Sequence, residues 1–104
     1  MTPDALLDGI AAGLADLGVT DGKMFGKRAL LADGKAFACL RGDRLAFRLG
    51  AGTPEHAAAL GHAGAELFDP SGKGRPFKDW VALPIDQSDR WAGLAHTALA
   101  HLRG

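Results

Sequence analysis

The sequence predicts an α+β domain in which helices cover one face of a two-layer fold. The other layer is an antiparallel sheet of about five strands, and the element order is α-β-β-β-α-β-β-α. Three observations predict it. Residues 23–49, KMFGKRALLADGKAFACLRGDRLAFRL, read as three short strands joined by tight Asp-containing turns. Leu45, Phe47 and Leu49 alternate with Arg44, Ala46 and Arg48, the period of a strand with one buried face. Both ends of the chain instead space their apolar residues as helices do. Hairpin-linked strands with helices before, between and after them form such a two-layer domain.

Thr2 is placed to cap the first helix, and Pro3 suits its first turn. Leu6, Leu7, Ile10, Leu14 and Leu17 make one apolar stripe, so the helix is predicted over 3–17, with Gly18 closing it. Asp33-Gly34 is a strong hairpin signal because a primed turn needs positive φ, and Gly42-Asp43 is a second, weaker one. Residues 36–41 are apolar enough for a central strand. Thr53 and Pro54 open a second helix that runs to about His62, and Gly64 ends its turn. Ala65 to Phe68 is a short strand, 69–75 (DPSGKGR) a loop, and 77–83 a further strand stopped by Pro84. Ser88 or Asp86 caps the last helix, whose stripe is Trp91, Leu94, Ala95, Ala98, Leu99 and Leu102.

A chain of 104 residues, 47% of them hydrophobic, is one folded domain spanning 1–104. Cys39 is the sole cysteine, so no internal disulfide forms; mid-strand, it reads as a half-buried, inert thiol. Asp4 and Asp8 interrupt the N-terminal segment, and nothing approaches the ~20 apolar residues of a membrane span. The expectation is a cytoplasmic protein without membrane contact.

Net charge is zero, yet the charges are segregated. Residues 1–19 hold three acids and no base, whereas 20–50 hold seven bases against three acids. Strand segments are therefore basic and the first two helices acidic. The candidate contacts for an anion or a partner are Lys23, Lys27, Arg28, Arg44 and Arg48, with Lys73, Arg75 and Lys78 from the loop and the strand after it.

The loop Gly72-Lys73-Gly74-Arg75-Pro76 fails as a Walker loop, because Gly follows the lysine and Pro76 lacks an amide. It remains a candidate anion nest using Lys73, Arg75 and Lys78. His56, His62, His96 and His101 lack the spacing of a helical metal pair, so no metal or cofactor is assigned, and all four read as solvent-facing. Ser71 and Ser88 lie outside any nucleophile elbow, and no catalytic residues are assigned; the chain is expected not to be an enzyme. Met24, Phe25, Trp80 and Trp91 are the candidate lining of a pocket between the last helix and the sheet, with Trp80 against that helix. Core packing is the plainer reading of these four.

Lys23-Met24-Phe25-Gly26, then Asp33-Gly34-Lys35-Ala36-Phe37-Ala38, then Trp80-Val81-Ala82-Leu83-Pro84 resemble, in this order, the N-terminal domain of the TfoX/Sxy family. The resemblance covers about residues 20–103. It implies a secretion-chaperone-like α+β domain and, from the full-length members, a link to competence and transcription. Lys27-Arg28-Ala29 departs from the glycine and aromatic residue usual after Met-Phe-Gly. Full-length members add a helical C-terminal domain, whereas this sequence ends at Gly104, so a stand-alone module is expected. The resemblance brings no catalytic residues.

Three functional readings follow. The leading one is a non-enzymatic regulatory module that acts through a protein partner, with a homodimer plausible at an exposed sheet edge. The second is a small anionic ligand in the pocket. The third, nucleic acid on the basic residues, is disfavoured for a neutral domain with no exposed aromatic platform.

Overall fold

The Thr2 hydroxyl accepts a hydrogen bond from the Ala5 amide at 3.1 Å, and Pro3 begins α1 (Pro3–Leu14), as the sequence predicts. The helix then tightens into a 3-10 turn over Ala15–Leu17 that ends at Gly18 in the left-handed region (φ 81°). That change of winding rotates Leu17 out of the stripe, leaving it 42% exposed, whereas Leu7, Ile10 and Leu14 are buried.

The computed structural model describes all 104 residues. Four strands follow α1 as a meander: β1 (Thr20–Met24), β2 (Lys27–Ala32), β3 (Lys35–Arg41) and β4 (Arg44–Arg48). Next come α2 (Pro54–Leu60), β5 (Glu66–Phe68), β6 (Phe77–Pro84), a 3-10 segment (Ile85–Arg90) and α3 (Trp91–Arg103). The sheet is antiparallel and open, in the order β1-β2-β3-β4-β6-β5. It has six strands, where about five were expected, and the order is α-β-β-β-β-α-β-β-α.

The extra strand comes from the stretch read as a strand opening. Met24 and Lys27 are paired, and Phe25 and Gly26 form the turn between them, with φ of 54° and 73°. A phenylalanine at positive φ is uncommon, so turn chemistry alone does not reveal this hairpin. Asp33-Gly34 behaves as predicted, with φ of 55° and 77°, and at the third turn Gly42 alone takes positive φ (59°).

Two irregularities shape the sheet. Leu30 pairs with Ala38 but Leu31 with Ala36, so Phe37 is an extra residue that drops into the main core. Leu67 pairs with Val81 but Phe68 with Phe77, leaving residues 78–80 outside the β5 ladder. The carbonyls freed there find other partners: Lys78 O faces His56 Nε2 at 2.7 Å, and Asp79 O accepts from the amides of Leu49 and Gly50.

The helices share one face. Leu7, Ile10 and Leu14 of α1 join Trp91, Ala95 and Leu99 of α3 over Leu30, Leu45, Phe47 and Val81 of the sheet. Thr53 caps α2 through the His56 amide, and Ala59 reaches the same core. The helix ends at Leu60, two residues short of the expected end. Neither Ser88 nor Asp86 caps α3: it follows the 3-10 segment directly, with Arg90 before it and no side-chain cap. No helix is long and apolar enough to cross a membrane.

Candidate functional site

Strand alternation that sends Leu45 and Phe47 under the helices sends Arg44, Ala46 and Arg48 to the opposite face. No helix belongs to that face. A second, smaller cluster forms there instead, of Cys39, Ala46, Phe68, Trp80 and Ala82, with Met24, Ala36 and Phe77 packed against it. Its aromatic rings run in series. Phe25 and Phe77 have centroids 5.6 Å apart, Phe77 and Phe68 6.3 Å, and Phe68 and Trp80 5.9 Å, each pair tilted or edge-on as ring quadrupoles favour. Phe25, at the tip of the β1–β2 turn, is 63% exposed. The expectation that no aromatic platform is exposed is therefore corrected.

A groove of about 680 Å³ lies along this face. Met24, Phe25, Phe77 and Trp80 supply its apolar lining, and Lys35, Arg48 and Lys78 its cations. Asp79 also lines it, with Oδ1 held by the Ala51 amide at 2.8 Å. A smaller hollow of about 300 Å³ lies beside it, sharing Phe25 and Phe77 and adding Lys27 and Arg75. The Phe25–Phe77 pair thus stands between two basic clefts.

The pocket read from the sequence is half right. Met24, Phe25 and Trp80 meet, but on the helix-free face. Trp91 is fully buried beneath the helices on the other side, and its Nε1–H finds no acceptor. Trp80 packs on Phe68 and not against the last helix. Alternation along β6 separates Trp80 from Val81 and Leu83, a distinction that a Trp in an apolar run does not disclose.

The eight candidate cations divide. Lys27, Arg48, Arg75 and Lys78 come together around the aromatic pair. Arg44 lies farther along the same face, bonded to Gly64 O at 2.9 Å and 3.6 Å from Glu66. Arg28 is on the helix face. It bridges Asp4 (3.0 Å) and Asp8 (2.8 Å) of α1 and Asp21 of β1, and the hydrogen bond to Asp21, then that to Asp4, raises its pKa above the ordinary arginine value. Lys23 pairs with Arg28 in the ladder and so shares its face, and Lys73 is exposed on the loop outside both clefts. Sequence reasoning missed Lys35 and Phe77. The alternation of Ala36, Ala38 and Leu40 is the signal that orients β3, but the extra residue Phe37 breaks the count.

The anion nest is already filled. Asp69 Oδ1 accepts from the amides of Ser71 (3.2 Å) and Gly72 (3.0 Å) and from the Ser71 hydroxyl (2.9 Å). Its Oδ2 accepts from the amides of Gly74 (2.8 Å) and Arg75 (3.1 Å). Desolvation pushes the Asp69 carboxyl up, but the bonds from Ser71, Gly74, Gly72 and Arg75 together outweigh it and hold the pKa below its ordinary value. The loop amides therefore hold the protein's own carboxylate.

Two further expectations are corrected. Cys39 is fully buried, not half-buried; burial pushes its thiol up to about 11, with the charge of Lys27 a smaller opposing influence. His56 is only 8% exposed, so its ring is held in place by Lys78 O and does not face solvent.

Among known proteins, the family model described as TfoX N-terminal domain matches residues 12–102. No curated protein and no solved structure matches the chain.

Proposed function

Because the chain belongs to the TfoX N-terminal domain family, we propose that it is a non-enzymatic recognition domain that holds an anionic partner on the helix-free face of its sheet. One observation carries this reading: where the protein leaves its charges unpaired. Lys27, Lys35, Arg48, Arg75 and Lys78 have no carboxylate partner and line the two clefts. Asp16, Glu55, Asp86 and Asp89, without cationic partners, lie in the helical and 3-10 segments with Arg90 the one unpaired cation there, while Asp79 is the one carboxylate lining the larger cleft. A molecule of zero net charge is thereby polarised, and a polyanion approaching it is drawn to one side. The residues gathered at the groove suit holding more than chemistry: cations, apolar rings, and a carboxylate already bonded to a backbone amide.

The test is a titration with a fluorescein-labelled polyglutamate peptide and a labelled oligonucleotide at low and physiological salt. Saturable binding that weakens as salt rises is expected. Arg48→Gln with Lys78→Gln should weaken it about tenfold or more, whereas Arg28→Gln removes a charge from the other face and should change it less than twofold. Equal losses from both variants, or no saturable binding to either polyanion at low salt, would remove the reading.

A further inference from the structure

We propose that the anionic partner is a single-stranded nucleic acid, with one base stacked on Phe25 and flanking phosphates held in the two clefts beside it. The inference rests on the anionic-partner reading and specifies it.

Phe25 combines features that a structural role does not require. Its side chain is 63% exposed, its backbone sits at φ 54°, and its only ring partner is Phe77 at 5.6 Å. Glycine or asparagine would make the same turn without strain. The hairpin instead sets a flat apolar ring against Phe77 of β6 and leaves most of it to solvent. Cations lie on both sides of it: Lys35, Arg48 and Lys78 in the larger groove, Lys27 and Arg75 in the smaller. A basic cleft, an aromatic ridge and a second basic cleft put charge on either side of a ring, in the order in which a nucleic-acid strand puts a phosphate on either side of each base.

Other occupants fit less of this arrangement. A small anion fills one cleft and leaves the ring and the second cleft unused. An acidic peptide satisfies the cations but brings no flat group to the ring. A duplex offers phosphates, but its bases are stacked on one another and unavailable to Phe25. The loop amides add nothing to phosphate binding, since Asp69 occupies them; side-chain charges carry it, so strong salt dependence is expected.

The experiment uses fluorescence anisotropy with a mixed-sequence 12-nucleotide single strand, its duplex and a 12-residue polyglutamate, each labelled and measured against the full chain. The single strand is expected to bind at least tenfold tighter than either of the others. Phe25→Leu keeps an apolar side chain but removes the ring, and should lower single-strand affinity fivefold to about a hundredfold, the range for one lost base stack. Phe25→Gly relieves the positive φ and should give the same loss, which separates stacking from damage to the turn. Polyglutamate affinity should not respond to either variant. Trp80 lines the groove and its emission should change on binding, whereas Trp91 is sealed under the helices. If polyglutamate or duplex binds as tightly as the single strand, or both Phe25 variants bind it normally, the single-strand assignment is overturned and the anionic-partner reading stands. If none of the three probes binds, both fall together.

Discussion

Phe25 and Trp91 are both large aromatics, yet the fold depends on them very differently. Phe25 is largely exposed, has Phe77 as its only ring partner and sits at positive φ, so losing its ring is offset by relief of the backbone. Phe25→Gly should change unfolding free energy by less than about 1 kcal/mol. Trp91 is enclosed at the junction of the 3-10 segment and α3, and Trp91→Ala should cost about 3–5 kcal/mol. Urea denaturation of the two variants measures both. Cys39 offers a third test at this scale. Its pKa is raised in the fold, so folding favours the neutral thiol. That stabilisation is complete below the ordinary value of 9.0, declines as the unfolded thiol ionises, and is lost by about pH 11. The stability of the native protein should therefore fall more steeply across this window than that of Cys39→Ala, as read from urea midpoints at successive pH values.

Among the elements, the 69–75 loop is the least legible in the sequence. Its glycines and cations suggest an anion site, and the geometry of one is present. What composition does not reveal is that Asp69, at the head of the same segment, reaches back to fill it. Because the pKa of Asp69 is lowered in the fold, its contribution is present above the ordinary carboxylate value and lost as pH falls through the lower, folded value. Hydrogen exchange should show the Gly74 and Arg75 amides protected near neutrality and losing protection only below the ordinary carboxylate value of 3.8. Asp69→Ala should remove that protection at every pH. If these amides exchange freely in the native protein at pH 7, the carboxylate does not organise the loop. The hairpins differ in legibility for a related reason. Asp33-Gly34 declares itself, because a glycine at positive φ is the ordinary solution, while Phe25-Gly26 is hidden by a residue that turns seldom use.

Across the whole molecule, what sequence pattern reveals is the side of each element that faces the core. Leu7, Ile10 and Leu14, the alternation of β4, and the stripe of α3 all meet in one core as read. The sheet's second face was harder to see. Its small cluster is built partly of Cys39, Ala46 and Ala82, residues too small to announce a buried surface. Its rings come from one turn and two strands far apart in sequence, and β6, which carries two of them, inserts between β4 and β5. The candidate site was therefore legible in its charges and partly in Met24, Phe25 and Trp80. Which cations face together was not, since bulges at Phe37 and after Phe77 break the alternation that would assign them.

The carboxylate of Asp69 has a further consequence, for the speed of encounter. A loop that waits for a phosphate to order it must close after contact, and such closure slows association. Here the loop beside Phe77 is already knotted by five hydrogen bonds to Asp69, and little ordering remains for an arriving partner to impose. On the protein's side, docking on this face then needs little rearrangement, and the encounter is steered by charge. Changes at the aromatic ridge would alter how long the complex lasts, and changes in salt how often it forms.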